Sequence, residues 1–328
     1  MWIMKMKRIN KKYLADWFAV APGVWGIRDI FVNVYLIHNP ANNNWVLLDA
    51  GLKSSAPKIH KVVENLFWPE LTPSSIILTH AHFDHIGSLK TLVKEWNVPV
   101  YAHRMEYPYL TGASSYPPPD PSVGGGLMSL LSFTFPNDPI DISEELYGLP
   151  IDGSVPGLPK WQYIHTPGHS PGHISLYRKS DGVLLAGDAF VTTKQESAIS
   201  VMRQTKIISG PPKYFTYDWD AAQKSVKTLA DLNPEIVATG HGKPMQGEAM
   251  GSALKSLSEN FRNQAVPSSG RYVGHSALVD EDGVKYLPPP TLKKLLLSVG
   301  AITLVLAVGC VLLYSSTLRK KRRFSFLF

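Results

Sequence analysis

The 328-residue chain is almost free of cysteine, with Cys310 as the single example. One cysteine cannot form a disulfide within the chain, so a disulfide-stapled scaffold is excluded, and so is a cysteine-based zinc finger. If the protein binds a metal ion, histidine and carboxylate side chains must therefore hold it. The composition is otherwise typical of a folded protein, because 44% of the residues are hydrophobic and only 18% are charged.

Net charge is also missing from most of the chain. The formal net charge is +7, but positions 292–328 contain seven basic residues and no acidic ones. Positions 1–291 therefore carry 26 basic and 26 acidic residues. A neutral body gives no electrostatic reason to expect DNA or RNA, and we predict no nucleic-acid partner.

The twenty residues Leu295–Tyr314 contain no charged residue and no proline. As a helix they would span about 30 Å, the thickness of the hydrocarbon core of a bilayer. We predict a transmembrane helix over 295–314, with a proline-containing linker at 284–294 before it and a basic tail at 315–328 after it. The membrane is therefore a predicted partner.

No signal peptide is recognisable, because the longest apolar run near the first residues, Trp17–Ala21, is too short for one. We therefore expect a single-pass C-terminal membrane anchor with the folded body on the cytoplasmic side. The basic residues after the predicted helix themselves favour the cytoplasm, so the orientation stays open.

Short apolar runs separated by turn residues predict a mixed α/β body. Strands are predicted at Phe31–Ile37, Trp45–Leu48, Ser75–Leu78, Val98–Ala102, Gln162–His165, Ile174–Tyr177, Val183–Ala186 and Glu235–Ala238, and helices at Ser88–Trp96 and Asp218–Leu232. Histidines and aspartates follow several of these strands, where a rigid scaffold commonly places chemistry.

Residues 107–160 form a long connection rich in proline and glycine, with the apolar stretch Leu127–Phe135 inside it. Connections of this length are either functional or disordered, and the apolar content argues against disorder. Two interpretations stay open. The stretch packs on the body as a short helix, or it forms a lid that lines an apolar pocket.

Four potential metal ligands lie within Thr79–Gly87 (THAHFDHIG), directly after a predicted strand. Because side chains alternate along extended backbone, His80 and His82 point the same way and can address one metal ion. Asp84 and His85 follow where the chain turns and can address a second. Imidazole and carboxylate are typical ligands of Zn²⁺ and similar divalent metals, so this segment predicts a metal site.

Together with four further motifs in the same order, this loop resembles the metallo-β-lactamase superfamily, and within it the glyoxalase II and lactonase branches. The other motifs are LLDAG at 47–51, TPGHSPGH at 166–173, AGD at 186–188 and TGHG at 239–242. The resemblance implies that residues 1–283 form one catalytic domain. It also implies an α+β fold, a four-layer αββα sandwich of two mixed β-sheets, here followed by the C-terminal transmembrane helix.

The resemblance implies a role for each matching residue. The implied ligands are His80, His82 and His169 for one metal ion, Asp84, His85 and His241 for the other, and Asp188 as a bridge between them. Asp84 would also be catalytic, as a proton shuttle, and Asp49 would accept a hydrogen bond that orients a ligand histidine. His165 and His173 would pack beside the ligands or support them.

The implied activity is that of a metal-dependent hydrolase. Two divalent cations, expected to be Zn²⁺, would hold a hydroxide that cleaves an ester, lactone or thioester bond of a small, lipophilic substrate. Lactonases of this kind carry a tyrosine shortly after the bridging aspartate, whereas Ala189–Val191 follow Asp188 here, which argues against a lactone. Two alternatives stay open, a mononuclear-iron enzyme resembling persulfide dioxygenases and a non-catalytic, metal-binding, membrane-tethered module.

Overall fold

Seven strands form the first sheet of the protein, seen here in a computed structural model that describes residues 17–67 and 72–290. In spatial order they are β1 (Trp17–Ala21), β2 (Val24–Asp29), β3 (Val32–Asn39), β4 (Asn44–Leu48), β5 (Ser75–Ile77), β6 (Val100–Ala102) and β7 (Leu146–Gly148). Strands β1 to β4 pair antiparallel, and β4 to β7 pair parallel. The sheet is therefore mixed.

Five strands form the second sheet, which is also mixed. They are β8 (Gln162–His165), β9 (Ile174–Arg178), β10 (Val183–Leu185), β11 (Ile236–Ala238) and β12 (Met245–Gln246), in the spatial order β12-β11-β10-β9-β8. Only β10 and β11 pair parallel, and the other neighbours pair antiparallel. A separate hairpin consists of β13 (Leu278–Asp280) and β14 (Gly283–Tyr286).

The helices lie between and after these strands. They are α1 (Ala56–Leu66), α2 (Phe83–Ile86), α3 (Leu89–Trp96), α4 (Tyr107–Leu110), α5 (Leu127–Leu131), α6 (Ala198–Arg203), α7 (Trp219–Asp231), α8 (Glu248–Glu259) and α9 (Phe261–Gln264). Helix α7 begins where the Asp218 side chain accepts hydrogen bonds from the backbone N–H groups of Asp220 and Ala221, a favourable N-terminal cap.

Alternation of side chains along the strands produces the layers. In β4, Val46 and Leu48 pack in the core between the two sheets, whereas Trp45 and Leu47 pack in an outer core with α1 and α3. Strand β10 divides in the same way, since its inner residues join the central core and Leu184 packs outward with α7 and α8. Strands buried on both faces are apolar throughout, which is why these runs were recognisable. The result is a four-layer αββα sandwich.

The predicted membrane helix must be corrected. The segment 295–314 lies outside the described residues, and within 17–67 and 72–290 no helix is long and apolar enough to cross a bilayer. The longest helix there, α7, has 13 residues and buries one face only, so it would span about 20 Å. For the described residues the fold class is therefore the αββα sandwich, with no membrane-spanning helix among them, and the predicted single-pass membrane localisation finds no support in that part of the chain.

Candidate metal centre

The predicted ligands follow strands whose carboxyl ends meet at one edge of the sandwich. Strands β4 and β5 run parallel in the first sheet, as do β10 and β11 in the second. Asp49 follows β4, the loop Thr79–Gly87 follows β5, Asp188 lies after β10, and His241 lies after β11. His169 lies on the loop between β8 and β9. The fold thus brings all seven predicted ligands to this edge, where they are buried.

His80, His82 and His169 lie together, and we call them the three-histidine group. One ring nitrogen of each lies within 4.8 Å of those of the other two, and His82 Nδ1 is 3.0 Å from His169 Nε2. Burial lowers the pKa of all three rings, to about 3 for His169. The imidazoles are therefore neutral at pH 7, which is the form that binds metal.

Asp84, His85 and His241 form a second cluster, which we call the aspartate group. One ligand atom of each lies within 4.8 Å of the others, and Asp84 Oδ2 is 3.5 Å from His241 Nε2. Burial raises the pKa of Asp84. Burial lowers the pKa of His85 and His241, but the surrounding carboxylates outweigh this effect and raise the pKa of both rings.

Asp188 lies between the two groups. Its Oδ2 atom is 3.0 Å from His241 Nε2, 3.5 Å from His169 Nε2 and 3.7 Å from His85 Nε2. Burial raises the pKa of this carboxyl, but the adjacent His241 and His85 rings outweigh burial and hold the pKa well below its usual value. One ionised oxygen thus faces histidines of both groups, the position expected of a bridging ligand.

Several polar atoms in this cluster lack partners that the protein could supply. Among the described residues, His80 Nε2, His85 Nε2 and Asp188 Oδ1 are buried and make no hydrogen bond. These three residues also form a group whose ligand atoms lie within 4.8 Å of one another. Buried unsatisfied polar atoms are unfavourable, and a divalent cation would satisfy them. The donor set of imidazoles and carboxylates fits such a cation.

In two of the predicted ligand histidines, the ring nitrogen that points away from the cluster has a fixed partner. His85 Nδ1 lies 2.8 Å from Asp49 Oδ2, and His241 Nδ1 lies 2.7 Å from the Phe31 carbonyl oxygen. If both Nδ1 atoms donate, each Nε2 keeps its lone pair toward the cluster. Asp49 also accepts hydrogen bonds from the backbone N–H and the hydroxyl of Thr79.

The two histidines beside the third motif have different surroundings. His173 Nε2 accepts the backbone N–H of Asp188 at 2.8 Å, and its Nδ1 lies 2.8 Å from Thr166 Oγ1, so the ring supports the loop of a predicted ligand. His165 stacks on His103 with ring centroids 4.0 Å apart and belongs to neither group.

Two features of the site were not predicted from the sequence. Glu106 is fully buried and accepts hydrogen bonds from two ligand loops. Phe215 stacks on His82 with ring centroids 4.3 Å apart. For Glu106 a signal existed, since it follows β6 and β6 is the parallel neighbour of β5, so the two loops open at the same edge. For Phe215 no local pattern points to the site.

Phe215 belongs to a cluster that we call the aromatic wall, formed with Phe83 and Phe135. The ring centroids are 5.6 Å apart for Phe83 and Phe135, 6.2 Å for Phe135 and Phe215, and 6.3 Å for Phe83 and Phe215. Phe83 and Phe135 are half-buried. Phe135 comes from the insertion 107–160, so this segment reaches the neighbourhood of the three-histidine group.

Comparisons with known proteins agree with this geometry. A sequence profile described as Metallo-beta-lactamase superfamily matches residues 27–241, a range that contains every predicted ligand. Probable metallo-hydrolase YflN of Bacillus subtilis (strain 168) is 46% identical over 245 residues, which are 74% of this chain and 93% of YflN. A hydroxyacylglutathione hydrolase of Ectopseudomonas mendocina (strain ymp) is 24% identical over 215 residues, which are 62% of this chain and 69% of that protein.

A similar fold occurs among solved structures. A beta-lactamase domain protein from Burkholderia ambifaria matches with a TM-score of 0.51 and 21% identity, and the match covers 75% of this chain and 76% of that one. At this identity the likeness concerns the fold alone.

Proposed function

Because the chain belongs to the metallo-beta-lactamase superfamily, we propose that it is a hydrolase that cleaves an ester or thioester bond in a lipophilic small molecule. The proposed catalytic centre consists of two divalent cations held by the three-histidine group and the aspartate group, with Asp188 between them. The observation that carries this proposal is the position of Asp188 Oδ2, within 3.0–3.7 Å of histidine nitrogens from both groups.

The two groups, Asp188 and Asp84 have different proposed roles in hydrolysis. When bound, paired divalent cations supply Lewis acidity and lower the pKa of water toward neutrality. The three-histidine group contributes neutral nitrogens, and Asp188 contributes the negative charge shared by both positions. Asp84 is the proposed proton shuttle, because its buried carboxylate lies beside His241 and can take up a proton and pass it to the leaving group.

The aromatic wall supports a lipophilic substrate. Three phenylalanines next to His82 offer an apolar surface for an acyl chain, and apolar pockets with a few polar groups are typical of small-molecule sites. Thioesters are the first substrates to test, because the similar hydroxyacylglutathione hydrolase is named for an acyl–glutathione bond. Zn²⁺ is the proposed metal, because neutral imidazole and carboxylate ligands suit it.

Metal content and turnover of the same preparation test the proposal. We expect about two divalent metal ions per chain and hydrolysis of acyl thioesters or esters that stops on chelation and returns with Zn²⁺. One iron per chain with oxygen consumption on persulfides would contradict it in favour of an oxidative enzyme. Stoichiometric metal without turnover of any ester or thioester would instead favour a non-catalytic module.

A further inference from the structure

Glu106 is a buried carboxylate that receives four hydrogen bonds. Its Oε2 atom accepts the backbone N–H of Ala81 at 3.0 Å and the hydroxyl of Tyr116. Its Oε1 atom accepts the hydroxyl of Ser170 at 2.9 Å and the backbone N–H of Gly172 at 2.6 Å. Each carboxylate oxygen thus carries one backbone donor and one side-chain donor.

The donors come from the two loops that supply the three-histidine group. Ala81 lies between His80 and His82, and Ser170 directly follows His169. We propose that Glu106 is a positioning residue that joins these two loops and so sets the metal affinity of the three-histidine group. The inference rests on the ligand assignment of the proposed function and adds to it a residue outside the ligand set.

The aspartate group depends on other contacts. His85 and His241 are oriented by Asp49 and by the Phe31 carbonyl oxygen. The backbone of His85 also accepts the N–H of Ala50 at 2.6 Å. None of these contacts involves Glu106. Asp84 and His85 share the loop Thr79–Gly87 with Ala81, but the His85 ring and backbone have these separate partners. Loss of the Glu106 carboxylate should therefore act on one metal position and spare the other.

The arrangement requires oxygen at both ends of the Glu106 carboxyl group. A glutamine in its place presents one NH₂ group, which cannot accept a hydrogen bond. Because the Ala81 and Gly172 backbone donors lie on opposite oxygens, the amide breaks the bond to one of them whichever way it is turned. The Ala81 N–H would still keep its second bond, to the Tyr116 hydroxyl at 2.9 Å, whereas the Gly172 N–H bonds, among the described residues, to Glu106 alone. There is also no free space beside it, since a methyl group on Gly172 would lie 2.7 Å from Glu106 Cγ.

Burial makes the ionised form of the Glu106 carboxyl group unfavourable. Desolvation raises the pKa of Glu106 to about 7, although the four hydrogen bonds act in the opposite direction. A buried ionisable group of this kind is a weak contributor to folding and a common feature of functional sites.

The test is a titration of the metal-free full chain with Zn²⁺ against a competing chelator, which resolves the two affinities. Glu106→Gln should weaken one Zn²⁺ affinity by about 10- to 100-fold and leave the other unchanged. Glu196→Gln is the matched control, because Glu196 is also buried and accepts a backbone N–H, from Lys213 at 2.9 Å, but lies outside the ligand loops. It should leave both affinities as in the wild type.

The outcomes separate this inference from the proposed function. Unchanged affinities in Glu106→Gln, or equal losses at both positions, would overturn the positioning role. A wild-type chain that binds no Zn²⁺ would instead contradict the proposed function, and the inference with it. If Glu106→Gln does not fold, Tyr116→Phe decides. It removes one donor to Glu106 and the second acceptor of the Ala81 N–H, keeps the ring stacked on Tyr109, and should weaken the same single affinity by a smaller factor.

Discussion

The pKa values of single residues in the candidate metal centre depend more on the charge of their neighbours than on their burial. His80 and His85 are both fully buried, yet burial and adjacent histidines lower the pKa of His80, whereas carboxylates on several sides raise that of His85. Asp188 is ionised because histidines face it. The two groups therefore present different charges to a metal ion, although Asp188 Oδ2 lies beside histidines of both.

At this scale we predict that Asp188→Ala and His169→Ala each lower thioester or ester hydrolysis by at least about two orders of magnitude, because loss of a ligand should cost more than the 10- to 100-fold typical of its supporting partners. Metal content should fall in parallel, and the circular dichroism spectrum should stay that of the wild type. Activity is measured at matched protein concentration.

Asp231→Ala serves as the control for these variants. Asp231 is exposed and its carboxylate pairs with Lys227 on the same helix, so its loss should change neither metal content nor rate. Wild-type turnover in Asp188→Ala would remove the bridging role.

Among the elements, the insertion 107–160 has two parts with different surroundings. Helix α5 is short. Leu127, its first residue, and Phe133, which follows it, have exposed side chains, at 50% and 39%. Phe135, just beyond, packs against Phe83, Tyr214 and Phe215. Within the apolar stretch Leu127–Phe135, Phe135 is therefore the residue that belongs to the aromatic wall. The stretch as a whole neither packs fully in the core nor lies along this wall.

We predict that Phe135 contributes to selection by acyl chain length. In the wild type, kcat/KM should rise along a series of acyl thioesters by up to about 0.8 kcal/mol per methylene until the apolar surface is covered. Phe135→Ala should flatten this series without changing metal content. Phe133→Ala removes an equal ring from the same segment but from an exposed position, so the slope should stay as in the wild type.

If kcat/KM of the wild-type protein does not change with acyl chain length, the aromatic wall has a structural role only. A slope that falls equally in both phenylalanine variants would show that the whole segment, rather than the ring beside the site, determines chain-length preference.

Strands β4, β5, β9 and β10 were predictable because they are buried on both faces. Runs such as Val183–Leu185 are apolar throughout, and the predicted strands β4, β5 and β8 to β11 agree with the structure to within a residue or two. The meeting of the predicted ligands at one edge could be foreseen because each follows a strand within a motif, whereas their binding of a metal ion stays a prediction. The hairpin of β1 and β2 and the helix α1 were not predicted, since their half-buried patterns are weaker signals.

Contacts between distant segments were not predicted, although the position of Glu106 after β6 was a signal once β6 is known to pair with β5. Glu106 and Phe215 meet the ligand loops only through the packing of β6 and of the segment before α7. The sequence shows a glutamate and a phenylalanine with no motif around them. Their roles depend on the tertiary arrangement, which the pattern of apolar residues specifies in outline but not side chain by side chain.

For the molecule as a whole, the hairpin β13–β14 ties the end of the described chain back to the insertion. The backbone N–H of Arg271 donates to Asp120, and Arg271 Nε donates to the Pro288 carbonyl at 2.6 Å. The backbone N–H of Val284 donates to Ser114 Oγ at 3.2 Å. Ordered structure thus continues through β14, beyond residue 283, where the catalytic domain was expected to end.

We predict that a chain ending at Pro290 unfolds at a higher temperature than one ending at Gly283. The shorter chain lacks most of β14, the packing of Val284 and the acceptor for Arg271, a loss of about 2–3 kcal/mol. For a domain of this size that lowers Tm by roughly 3–5 °C. Calorimetry of the two purified chains measures the difference, and equal Tm values would show that the hairpin adds no stability.

Two of the three phenylalanines of the aromatic wall come from stretches of the chain other than the loops of the predicted metal ligands, whereas Phe83 lies on one of those loops. The predicted ligands lie on loops after the strands of the sandwich, whereas Phe135 and Phe215 reach the site from the insertion and from the segment before α7. Substitutions in those two segments can change which molecules are accepted while the ligand loops stay as they are. Proteins with this architecture can therefore change their substrate specificity during evolution by single substitutions, without an intermediate that has lost the proposed hydrolytic activity.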